Sequence, residues 1–89
     1  ILVEKPDMDT FKGLKFAYDA IGQGGSMPTV FNAANECAVA KFLDRKIKFL
    51  DIYRIIETCM SEHKIIEDPD VSQILDTEKW VYELVESRW

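Results

Sequence analysis

Eighty-nine residues allow one domain, and a chain this short buries only roughly 60–65% of the surface its unfolded form exposes, so its core is thin. A composition of 47% hydrophobic and 30% charged residues is that of an ordinary globular domain. The net charge of −5 argues against nucleic acid and anionic membrane as partners, since both reward clustered Lys and Arg; Arg45, Lys46 and Lys48 make too small a cluster to reverse it.

The chain opens Ile1-Leu2-Val3-Glu4-Lys5-Pro6, a short apolar run without an initiator Met, which reads as the interior of a longer polypeptide. Residues 1–10 are expected to be a linker from an upstream domain and residues 11–89 a helical domain. Phe11, Leu14, Ala17, Tyr18 and Ile21 follow helical spacing, and Gly22, Gly24 and Gly25 end that helix. Ser26 is a candidate N-cap for a second helix from about Met27 to about Arg45, with Pro28 in its first turn. After a brief extended turn at Ile47 and Phe49, Asp51 is expected to cap a third helix, with Leu50 stapled onto Ile55. Its apolar stripe is Ile52, Ile55, Ile56, Cys59 and Met60. Asp68-Pro69 reads as the start of a short helix through Leu75. Asp76 then caps a last helix with Trp80, Val81, Leu84 and Val85 on one face. The expected fold class is all-α: a small four-helix bundle with an extra short helix.

Nothing resembles a signal peptide, and no apolar run approaches the ~20 residues that span a bilayer. Cys37 and Cys59 lie in helical segments among apolar neighbours and read as buried thiols in a reducing compartment.

The most unusual stretch is Asn32-Ala33-Ala34-Asn35-Glu36. At about 100° per residue, Asn32 and Asn35 share a sector with Phe31, Val39, Phe42 and Leu43, so two amides are expected within a buried apolar face. A buried amide left unsatisfied costs about 1–3 kcal/mol, so each must find partners. The structural reading has them bond backbone of the glycine turn or of the N-terminal linker, with Glu36 as an edge ion-pair or capping partner. The alternative is a ligand site. The structural reading is preferred because amides fix geometry but do little acid–base work.

Other candidates are weaker. Gly22-Gln23-Gly24-Gly25-Ser26 precedes a helix, but no strand leads into it and no Lys-Ser/Thr pair follows, so it reads as a hinge and not a phosphate loop. His63 is the only histidine. It stands four residues after Cys59, but a closed zinc site needs four ligands and no fourth accompanies Cys37, Cys59 and His63. Nor does a nucleophile motif accompany it. The residues alone thus yield a helical domain with a polar patch and no visible catalytic set.

Pro6-Asp7, Phe11, Leu14-Lys15-Phe16-Ala17, Gly24-Gly25 and the unbroken run Pro28-Thr29-Val30-Phe31-Asn32-Ala33-Ala34-Asn35-Glu36 resemble the C-terminal region of the 1-deoxy-D-xylulose 5-phosphate reductoisomerase family. The likeness continues through Ala38-Val39, Phe42-Leu43, Lys46-Ile47 and Phe49-Leu50-Asp51-Ile52. It departs mildly at Phe31, where leucine is more familiar, and at Cys37, where valine is. The resemblance implies a homodimeric parent enzyme of the bacterial cytoplasm or plastid stroma. That parent uses NADPH and Mg2+ or Mn2+ to convert 1-deoxy-D-xylulose 5-phosphate to 2-C-methyl-D-erythritol 4-phosphate in non-mevalonate isoprenoid synthesis. It also implies that this chain carries none of the catalytic, cofactor or metal residues and partners the upstream catalytic domain of its own polypeptide. A free-standing helical interaction module is the rival reading.

Overall fold

The structure, a computed structural model, describes the backbone of residues 8–89 and the side chains from Lys15 onward. It contains four helices, α1 (Met8–Gln23), α2 (Met27–Leu43), α3 (Asp51–Glu62) and α4 (Val71–Arg88), and no strand among the described residues. The all-α expectation is met, and α2 is the helix that α1, α3 and α4 all contact. The core gathers Ala20 from α1, Met27, Val30, Ala33, Ala34 and Ala38 from α2, the expected stripe Ile52, Ile55, Ile56 and Cys59 from α3, and Val81 and Val85 from α4. Met60, Trp80, Leu84 and Trp89 close it from the sides.

The boundaries differ from expectation in ways that local chemistry explains. α1 begins at Met8, inside the stretch expected as linker; the opening residues 1–7 lie outside the described residues. Its inner face is Phe16 and Ala20, whereas Tyr18 and Ile21, expected inward, are each 71% exposed. Gly24 (φ +70) and Gly25 (φ +55) end α1 in the left-handed region, and the Gly24 N–H donates to Ala20 O at 3.1 Å. α2 stops at Leu43, short of Arg45, because Arg45 itself adopts φ +59; the Lys46 N–H then donates back to Lys41 O at 2.9 Å. Asp51 is the first residue of α3, and its carboxylate accepts the Lys48 N–H at 3.0 Å instead of capping from outside. Leu50, expected to staple onto Ile55, is 55% exposed.

The expected short helix is absent from this stretch, which is instead the first turn and a half of α4. Asp68 has φ +50, incompatible with the extended backbone an N-cap requires; Asp70, at φ −80 and ψ 176, takes that position. Its carboxylate accepts the Gln73 N–H at 2.8 Å while Gln73 Oε1 accepts the Asp70 N–H at 3.0 Å, a reciprocal capping box. Asp76 lies within the continuous helix and caps nothing. At the far end, Arg88 grips Glu62 with both guanidinium nitrogens (Nη2–Oε1 2.9 Å), tying the ends of α3 and α4 and placing a cation at the negative pole of each.

Asp70→Ala should therefore lower unfolding free energy by about 1 kcal/mol. Asp76→Ala should change it by less than about 0.5 kcal/mol. Urea titration followed by helical circular dichroism measures both, and the reverse order would restore a helix start at Asp76.

Candidate functional site

α2 carries two charged residues, Glu36 and Lys41, among its 17. Its large side chains Phe31, Val39, Phe42 and Leu43 suggest the inward face by sheer apolar area. Of these, Phe31 packs against the core while Val39, Phe42 and Leu43 face outward. Met27, Val30, Ala33, Ala34 and Ala38 turn inward, with Cys37 half-buried beside them. Alanines let three neighbouring helices approach one axis closely, which a face of phenylalanines and leucines would prevent.

The expected polar patch is consequently on the outside. Asn32, Asn35 and Glu36 are brought together on the outer face of α2, all exposed, and their burial within this chain is not observed. Glu36 lies at the edge of that face, beside Tyr82 of α4, whose phenol is pushed up by burial first and then by Glu36 and Glu78. Neither amide side chain makes a hydrogen bond among the described residues. Val39, Phe42 and Leu43 continue the face toward the C-terminal end of α2. The Phe42 ring there meets Phe49 edge-on at 5.6 Å, and Phe49 meets Tyr53 at 5.9 Å.

The polar residues that are buried lie elsewhere. Ser26 stands at the N-terminus of α2 but makes no side-chain cap; it is 0% exposed. Its Oγ accepts the Ile66 N–H at 2.8 Å and lies 2.6 Å from His63 Nε2, while the Ser26 N–H donates to Ile66 O at 3.0 Å. The hydroxyl can donate to Nε2 or accept from it, according to the imidazole tautomer, while it holds the Ile66 N–H. One buried serine thus fastens the α1–α2 turn to the segment joining α3 and α4. Gly25 makes room for it: a Cβ there would come 2.5 Å from Ile66 O. Sequence reasoning took Ser26 as a cap and weighed His63 as a metal ligand or catalytic group, and no local signal pairs two residues 37 positions apart.

A Ser–His pair invites a catalytic reading, which the geometry excludes. The hydroxyl has no exposed surface from which to reach a substrate, and it already holds an N–H. The glycine turn is not a phosphate cradle either: the N–H groups of Gly24, Ser26 and Met27 go to Ala20, Ile66 and Gly24 carbonyls. His63 itself, its ring 5.3 Å from Trp80, lines an open cleft of about 390 Å³ with Glu62, Lys64, Asp76 and Thr77. Burial pushes its pKa below 6.5. Cys59 is pushed up to about 11, first by burial and then by Cys37 and Glu62, and Cys37 is also raised, so both thiols stay protonated and poorly nucleophilic. Among the described residues no three His, Cys, Asp or Glu side chains converge as a metal site would require. The other buried polar groups are Thr77, whose Oγ1 donates to Gln73 O at 2.8 Å, and Lys41, on the inward face of α2, with its Nζ 2.9 Å from Glu86 of α4.

Residues 2–84 match the family described as DXP reductoisomerase C-terminal domain. The chain belongs to that family. It is 62% identical over its whole length to a protein of Lachnospira eligens named 1-deoxy-D-xylulose 5-phosphate reductoisomerase. It is 56% identical over 97% of its length to one of Agathobacter rectalis, and 48% identical over 93% to one of Acetivibrio thermocellus, both of the same name. It spans only 22–23% of each of these relatives. As a DXP reductoisomerase C-terminal domain, it places its family-bearing Asn32–Glu36 run on an outward surface and its own buried polar contacts elsewhere.

The His63 environment has a pH signature. Its folded pKa is lowered, so the unfolded chain takes up a proton first as pH falls through about 6.5, and stability is lost in that direction until the folded imidazole also protonates. The melting temperature should fall between about pH 7.5 and 5.5. His63→Asn should flatten the profile in that window, and an equal slope in both proteins would remove His63 as its source.

Proposed function

We propose that this chain serves as the C-terminal helical domain of an enzyme that converts 1-deoxy-D-xylulose 5-phosphate to 2-C-methyl-D-erythritol 4-phosphate with NADPH and a divalent metal. It acts there as a buttress for the catalytic part of the same polypeptide. The observation that carries this reading is the full-length likeness to enzymes of that name, each more than four times as long as this chain. The described residues fit neither NADPH nor the metal. No acidic or histidine cluster converges, and the glycine turn follows a helix with its N–H groups already bonded. In this reading both groups, and the reacting atoms, belong to the rest of the enzyme.

What this domain supplies is rigidity. Two contacts distant in sequence, Ser26 to His63 and Ile66, and Glu62 to Arg88, fasten the C-terminal end of α3 to the α1–α2 turn and to the end of α4. A wall so held limits how far catalytic groups resting on it can stray, and misplacement by about 1 Å can cost about 100-fold in rate. A dimeric, cytoplasmic parent fits this reading; among the described residues no helix is long and apolar enough to cross a membrane.

The test is a chimera in which this chain replaces the matching segment of the Lachnospira eligens protein. NADPH oxidation dependent on 1-deoxy-D-xylulose 5-phosphate should stay within about tenfold of the parent, as expected where only a supporting wall is exchanged. A soluble, helical chimera without turnover would count against the assignment.

A further inference from the structure

We infer that the outer face of α2, from Asn32 and Asn35 through Val39 and Leu43 to Phe42 and Phe49, is the surface on which the preceding catalytic part of the same polypeptide docks. The inference rests on the proposed function and adds which face meets that part and by what chemistry.

The face is unlike a solvated surface. In a chain with 30% charged residues, the sector of α2 centred on Asn32 and Val39 runs from Pro28 to Leu43 with one charge, Glu36, at the edge beside Tyr82. Leu43 is 73% exposed, and Val39, Phe42, Phe49 and Leu50 are also exposed. A helix that is apolar nearly all round belongs in the interior of a larger body. α2 uses the side bearing Ala33, Ala34 and Ala38 for this bundle, leaving the side of Val39, Phe42 and Leu43 for another. Asn32 and Asn35 complete the case. Two neighbouring amides without hydrogen-bond partners among the described residues offer paired donors and acceptors, suited to the N–H and C=O groups of a backbone segment laid across them. An amide-plus-aliphatic stripe with its charge at the rim has the make-up of an interface core.

The occupant follows from chain length. This family is the C-terminal domain of proteins more than four times as long, so most of the relatives' polypeptide precedes the matched segment and is covalently joined to it. Among the described residues, the other exposed apolar side chains, Tyr18 and Ile21 on α1, Ile65, and Val71, Leu75 and Tyr82 on α4, lack the ring contacts that join Phe42 to Phe49 and Tyr53.

The experiment compares three versions of the Lachnospira eligens chimera: unsubstituted, V39K/L43K, and E83K as an exposed α4 control. V39K/L43K should lower turnover about tenfold or more and the melting temperature by about 5 °C or more, with E83K near the unsubstituted protein. An active unsubstituted chimera in which V39K/L43K matches E83K would overturn the docking face and leave the functional assignment standing. A soluble, helical but inactive unsubstituted chimera would overturn the assignment and the docking face with it. If V39K/L43K leaves the chimera intact but converts the 89-residue chain from dimer to monomer, a second copy covers the face and the inference fails.

Discussion

The packing of α2 through its alanines is the constraint on which the rest depends. Ala33, Ala34 and Ala38 bring the backbone of α2 close to its neighbours, and that closeness sets where Ile55, Ile56, Val81 and Val85 meet. A thin core of this kind gains little from area, so density matters more. With the alanine side turned inside, Val39, Phe42 and Leu43 face outward. The same choice that closes the bundle therefore creates an amide-and-aliphatic surface for something outside it.

The ends of the bundle are held by polar chemistry, because short helices leave backbone groups that the apolar core cannot satisfy. Ser26 resolves this at the α1–α2 turn by serving two partners at once, Ile66 N–H and His63 Nε2, and Gly25 grants the close approach. Asp70 and Gln73 resolve it at the start of α4. Lys41 lays its alkyl stem along the inner side of α2 and delivers its ammonium to Glu86, holding α4 by charge where the rest of the contact is apolar.

Much of this was legible from residue order. The α3 stripe is correct position by position, because Ile52, Ile55, Ile56 and Cys59 leave one apolar side and one polar side. α2 was not legible in the same way. Apolar residues occur all round it, so periodicity could not choose a side, and bulk pointed to the wrong one. The expectation of buried amides at Asn32 and Asn35 followed from that choice. The start of α4 was misplaced because Asp68, Asp70 and Asp76 compete as caps; the positive φ of Asp68 removes one, and the Gln73 that completes a capping box with Asp70 decides between the others. The Ser26–His63 contact was invisible because it joins two loops that meet only after the helices pack. The family resemblance read from the sequence agrees with the matched relatives, since it rested on the contiguous Pro28–Glu36 run and not on a choice of face.

The central claim, that α2 buries its small face and presents its large one, is tested most directly by two exchanges in the 89-residue chain. Ala34→Leu forces extra volume into a fully buried site, and Leu43→Ala removes bulk from a largely exposed one. The account predicts that Ala34→Leu costs about 1–3 kcal/mol of unfolding free energy or more. Leu43→Ala should stay within about 0.5 kcal/mol. A costly Leu43→Ala beside a neutral Ala34→Leu would contradict it, placing the large residues of α2 in the core.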